Sequence, residues 1–256
     1  MGIWPAYRAR PDRWLAGRLL VAGLLGVGAS YHKSFAALLI PALASLAVLL
    51  IARMLYPDPR KLELRTIRPE FVAWSGFGPT FRLYTLASAF IGAGFADFAL
   101  IAFHLTRAGV TPAAWIPLLY ALAMASEGVS ALAIGRLLDR FGAGPVLVGI
   151  VLAALATPLL FLGDATAAVL GAALWGIGMA VQDTVFHALL SRHVPSDRRA
   201  TAYGLFDAMR GTAWLAGSAV LGVLYSISLP ALVGTSLMLQ LVAIPALLGA
   251  GPARSR

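Results

Sequence analysis

Between residues 81 and 250 the chain runs as six apolar stretches of about 19 to 26 residues, and most of the charge is confined to the short turns between them. A helix rises ~1.5 Å per residue and the hydrocarbon core of a bilayer is ~30 Å thick, so each stretch is about long enough to cross. The stretches cover roughly 81–105, 112–134, 145–163, 166–190, 200–225 and 229–250, and another at 34–53 precedes them. A soluble core cannot absorb so much apolar surface in a chain of 256 residues that is 60% hydrophobic and 12% charged. The pattern predicts an all-α, polytopic membrane helix bundle.

The 26 glycines and 15 prolines fit that solvent. Packed neighbours re-satisfy an interrupted backbone in lipid, and small residues let helices approach closely. Spacings of four, Ala213 with Gly217 and Ser218 with Gly222, read as helix contacts. Trp115, Trp175 and Trp214 read as span anchors and interior filling. The absence of cysteine excludes disulfides and thiolate metal sites. A net charge of +9 does not indicate nucleic acid here, because the basic residues sit in loops between apolar runs.

Those basic residues orient the chain. Residues 14–31 form a weak first span, interrupted by Arg18, with a clean apolar run of only 11 residues from Leu19 to Ala29. If they cross, eight spans place both termini on one side with 17 of the 20 basic residues; Lys33 and Arg107 lie on the other side and Arg210 within a span. If they do not, Arg8, Arg10, Arg13 and Arg18 are stranded on the wrong side. Positive charge favours the cytoplasmic side, so the expectation is a multi-pass inner (plasma) membrane protein with both ends cytoplasmic.

Gly135-Arg136-Leu137-Leu138-Asp139-Arg140-Phe141-Gly142 reads as a charged turn between two spans, with Gly135 and Gly142 letting the helices fold back and Asp139 free to pair with a neighbouring arginine or a helix N-terminus. The stretch reproduces the pattern G-x-L-x-D-R-x-G and resembles the major facilitator superfamily of membrane transporters, which carries this loop once in each six-helix half. Ala143-Gly144 follow, where the family usually has two basic residues. Val194-Pro195-Ser196-Asp197-Arg198-Arg199 through Phe206 looks like the family's inner turn before its penultimate helix, and Leu55-Tyr56-Pro57-Asp58-Pro59 is similar to the end of its sixth helix.

The resemblance, over about 220 residues, implies the last eight of twelve helices. Residues 1–56 would be two helices remaining from the first half, 57–80 the basic cytoplasmic linker and 81–256 the six-helix C-terminal half. It implies a conformational gate at Gly135, Asp139, Arg140 and Gly142, and a cavity lined by the helix that holds Asp97. A homo-oligomer or a partner would supply the missing helices.

Ionisable groups inside spans cost ~2.5–3.5 kcal/mol each on insertion scales, so they are the candidate functional residues. Asp97, Glu127, Asp183 and Asp207 are the acidic ones; the last three are expected in one layer about seven residues from the cytoplasmic end. Arg210, one turn from Asp207, either neutralises it or serves the site with it. Gln182, Asp183 and His187 share one helix, with Asp183 and His187 four apart; the pair could relay protons, or His187 could be a solvated surface residue. Gly92, Gly94 and Asp97 loosen the first long span, and His104 is expected on the same side as Asp97. No zinc-binding H-E-x-x-H pattern, phosphate-cradling glycine loop or nucleophile with an ordered base occurs, so no metal, no cofactor and no enzymatic activity are expected. Two functions remain: a secondary transporter of a small solute coupled to protons, or a membrane assembly module that acts only with a partner.

Overall fold

In the computed structural model, residues 39–55, 74–142 and 144–249 are described. The expected first span at 14–31, residues 57–73 of the linker expected at 57–80, and both terminal arginine clusters lie outside the described residues. Among the described residues all regular structure is helical. Helix α1 (Leu39–Leu55) exposes its large apolar side chains throughout, as a helix does whose solvent is lipid.

Six spans follow. Span I is a broken pair, α2 (Pro79–Gly94) and α3 (Phe98–Arg107); span II is a short turn and α4 (Ile116–Phe141). Span III is α5 (Gly144–Ala154) with α6 (Ala156–Leu162); span IV is α7 (Ala165–Ala180), a π turn (Val181–Val185) and α8 (Phe186–His193). Spans V and VI are single helices, α9 (Arg199–Ile227) and α10 (Leu229–Gly249). Five of the six are long and apolar enough to cross a membrane. Span V is 29 residues long but more polar, because it carries Arg199, Asp207 and Arg210.

Span I packs on spans V and VI, span IV packs on spans II and III, and span III meets span VI. The two triplets therefore repeat one packing order, the first span of each lying against the second and third of the other. The interruptions repeat too: α2 ends sixteen residues into span I, and the π turn begins sixteen residues into span IV.

Each interruption frees backbone groups that lipid cannot satisfy. At the first, Ser236 Oγ and Gln240 Nε2 on α10 donate to Gly94 O at 2.6 and 3.2 Å, and Thr157 on α6 hydrogen-bonds Ser236 at 2.8 Å. Trp175 Nε1 on α7 donates to Ala96 O at 2.9 Å, and Asp97 caps α3 by accepting from Ala99 N at 3.0 Å. Asp97 is thus first a helix cap, exposed to the surroundings. His104, seven residues on in the same helix, is buried where Asp97 is exposed, within 3.3 Å of Tyr225 OH and tilted against Phe161.

The charged stretch at 135–142 is not a loop. Helix α4 runs through Gly135, Asp139 and Arg140 to Phe141, and the chain turns only at Gly142, whose φ of 68° is the left-handed region open to glycine. Span II is therefore two turns longer than its apolar run, because Arg136 and Arg140 reach water from a helix end: Arg136 folds back on Leu132 O and Arg140 lies over the Phe141 ring. The same extension corrects the position of Glu127. Its backbone lies beside Gly176, seven residues (~10 Å) along span IV from Asp183, so Glu127 is not in the layer of Asp183 and Asp207.

Glycines set the closest approaches. A Cβ on Gly176 would sit 2.0 Å from Ala123 O, and one on Gly217 2.0 Å from Ala93 O; both obstacles are backbone. Gly222, expected to be a contact, is exposed with open space around it. Accordingly, Gly176→Ala and Gly217→Ala are each expected to destabilise the bundle by about 1–3 kcal/mol, while Gly222→Ala stays within ~0.5 kcal/mol of the parent or gains from helix propensity. Reversible unfolding in mixed micelles, followed by circular dichroism, measures the difference.

Candidate functional site

The membrane-embedded charges meet where the lower part of span IV faces span V. Asp183 lies in the π turn and His187 one turn on in α8; Asp207 and Arg210 lie one turn apart on α9. Arg210 Nη1 donates to Asp183 Oδ1 at 2.7 Å, and its Nη2 stands 3.7 Å from Asp207 Oδ1. His187 Nε2 approaches the same Asp207 carboxylate, 3.2 Å from Oδ1 and 3.3 Å from Oδ2. The order is Asp183, Arg210, Asp207, His187, with one fixed cation between two carboxylates and an imidazole at the end. Asp183 and His187 both turn toward α9, but the carboxylate beside the imidazole is Asp207.

Charge arithmetic defines what this chain of groups can do. Two ionised carboxylates and one guanidinium leave one negative charge while His187 is neutral, and none once it is protonated. Exposure does not run evenly along it: the Arg210 side chain is 15% exposed, His187 27%, Asp183 35% and Asp207 46%. The cation is the least exposed of the four, and the carboxylate it shares with histidine opens outward. A proton or a cationic group arriving at Asp207 competes with Arg210 for that carboxylate, and one proton changes the local balance by a full charge.

Gln182 borders this group. It is wholly buried, and neither its amide nitrogen nor its oxygen has a protein partner. The π turn displaces it toward span I, where a Cβ on Gly92 would lie 3.6 Å from Gln182 Oε1 and 3.6 Å from Arg210 Cγ. Five of the candidate residues, Gln182, Asp183, His187, Asp207 and Arg210, are thereby assembled. Asp97 and Glu127 are not among them: Asp97 caps α3 and partly buried Glu127 lies farther along span II.

Asp139 pairs with Arg192 on α8, an exposed ion pair tying the end of span II to the end of span IV. Sequence reading missed that partner, because the neighbouring arginines Arg136 and Arg140 were nearer in sequence. Arg199 closes the same end, its Nε and Nη2 donating to Val194 O at 3.1 Å and Ser191 O at 2.8 Å at the C-terminus of α8. The polar knot of Thr157, Ser236 and Gln240 was also missed; a serine and a glutamine four apart in an otherwise apolar helix were the available signal. Among the described residues no group of three metal-binding side chains occurs.

Removing Arg210 leaves two carboxylates facing each other at membrane depth. Arg210→Met is expected to cost about 1–3 kcal/mol, less than a fully buried pair because Asp183 and Asp207 are partly exposed. Asp183→Asn combined with Arg210→Met recovers part of the loss, giving a coupling above ~0.5 kcal/mol in a double-mutant cycle read by unfolding in mixed micelles.

Residues 14–218 match the sequence model of the Major Facilitator Superfamily. Uncharacterized proteins of Mycobacterium bovis and of two strains of Mycobacterium tuberculosis are each 35% identical to the chain over 234 residues, which is 90% of this chain and 57% of the relative. The chain spans little more than half the length of these curated relatives. The match takes in spans I to IV and span V as far as Ser218, with both helix interruptions and all of the charged cluster, and the chain belongs to the Major Facilitator Superfamily of membrane transporters.

Proposed function

We propose that the chain is the solute-handling part of a proton-coupled secondary transporter, with Asp183, His187, Asp207 and Arg210 as its coupling group and Gln182 beside it. The observation that carries this reading is Arg210: one partly buried cation shared by two carboxylates, the more exposed of which also holds a histidine. Protonation of His187 or Asp207 loosens the grip of Asp207 on Arg210 and frees the guanidinium for Asp183 or for solute. Asp97 and Glu127, farther along their spans, form the outer part of the proposed site. The interruptions of spans I and IV allow the halves of each span to tilt separately, and the Asp139–Arg192 pair, with Gly135, Arg140 and Gly142 around it, forms the gate at the basic end. That end is cytoplasmic in this reading, in the inner membrane, and the cluster closes against further helices supplied by a second copy or a partner.

The test is proton movement into proteoliposomes under an imposed pH gradient, against a panel of sugars, organic acids and organic cations. Solute-dependent flux that Asp207→Asn lowers at least tenfold, in a variant that inserts and unfolds like the parent, supports the reading. Flux unchanged by Asp207→Asn and by His187→Gln removes these residues from coupling. Silence of a folded, inserted parent chain favours the alternative, a membrane assembly module that works only with a partner.

Orientation has its own test, simplified by the absence of native cysteine. In sealed right-side-out vesicles, Arg107→Cys is expected to react with a membrane-impermeant maleimide and Arg140→Cys only after lysis. The reverse pattern inverts the topology.

A further inference from the structure

The face of α2 that looks toward span IV carries Tyr84, Ser88 and Gly92 at intervals of four, a stripe ~12 Å long. Tyr84 lies near the basic end, its ring tilted against His193 at 5.4 Å. Tyr84 and Ser88 are both wholly buried, and neither hydroxyl has a protein partner. The stripe ends where Gly92 faces the buried, unpartnered Gln182 amide and Arg210, whose Nε is likewise buried without a partner. Four side chains on three elements thus present unsatisfied donors and acceptors along one seam. Leaving each dry would cost ~1–3 kcal/mol, a sum a marginally stable bundle does not bear.

Gly92 lies against both unpartnered groups. A methyl group built on Gly92 would meet Arg210 O at 3.4 Å, Arg210 Cγ at 3.6 Å and Gln182 Oε1 at 3.6 Å, ordinary contact distances. The seam beside Gly92 is thus bounded by an acceptor carbonyl and by an amide able to donate and accept. Buried water typically occupies such sites, with two to four polar partners.

We propose that a file of internal waters fills the seam between α2 and span IV, bonded by Tyr84, Ser88, Gln182 and Arg210 Nε, and connects the basic end of the bundle with the buried side of the charged cluster. The file reaches Arg210 from behind, away from the face on which Asp207 and His187 open outward. Spans I and IV then meet along this seam partly through exchangeable water, so one can shift past the other without breaking direct side-chain bonds.

Two measurements on the full chain in lipid nanodiscs test this. A structure at about 2 Å is expected to show ordered water within hydrogen-bond distance of Ser88 Oγ, the Gln182 amide and Arg210 Nε. Gly92→Ala is expected to keep the fold and lose the water beside Gln182. Radiolytic labelling after sub-second mixing with oxygen-18 water is expected to oxidise Tyr84 at least tenfold faster than Phe186, which is equally buried among apolar side chains, and to place the heavy isotope on it. The proposal is overturned if the Gln182 amide and Arg210 Nε are bonded to protein groups or surrounded by dry density. It is equally overturned if Tyr84 reacts no faster than Phe186, or incorporates only oxygen that did not exchange with bulk.

Discussion

Helices in lipid gain nothing from hiding apolar surface from one another, so this bundle depends on how closely its backbones can approach. Gly176 against Ala123 and Gly217 against Ala93 are the tightest of those approaches; each would put a methyl group 2.0 Å from a carbonyl oxygen. They join span IV to span II and span V to span I. Once those two pairs are locked, the aromatic groups at the first interruption have little freedom: Phe95 stacks on Trp175 at 5.2 Å and Phe98 meets Trp175 edge-on at 5.5 Å. The charged cluster follows from the same contacts, because seating Gly217 holds α9 with Arg210 directed at the π turn.

The second constraint is that a broken helix in a membrane must find partners for its freed backbone. Span I solves this with side chains brought from outside it, Ser236 and Gln240 from α10 and Trp175 from α7. Span IV solves it internally by widening one turn to a π turn, which keeps the backbone bonded while turning Gln182 and Asp183 toward different neighbours. The two interruptions fall at the same distance into their spans, and the second holds Asp183 of the charged cluster.

How much of this was legible in advance depended on range. Positions of the spans were legible to within a few residues, because hydropathy reports solvent and the solvent is uniform over ~30 Å. The extent of α4 was not: Gly135, Arg136, Asp139 and Arg140 look like a turn by composition, yet a helix end can project such side chains into water without unwinding. Glu127 was misplaced by the same two turns. The proximity of Asp207 and Arg210 was readable from their spacing, whereas Arg192 as the partner of Asp139 lies 53 residues away and no local rule reaches it.

The sequence by itself determined the solvent, the number and rough length of spans from residue 81 onward, and which residues are costly enough in lipid to demand a reason. These are properties of composition and periodicity, carried by each segment alone. Only the tertiary structure decided which of the costly residues meet. It brought Asp183 and His187 to Asp207 and Arg210, turned Asp97 into a helix cap, separated Glu127 from the cluster, and lined Tyr84 and Ser88 up behind Gln182. The physical reason is that hydropathy is summed along one helix, while an ion pair or a hydrogen bond needs two atoms within about 3 Å, and that distance is set by the helix crossings.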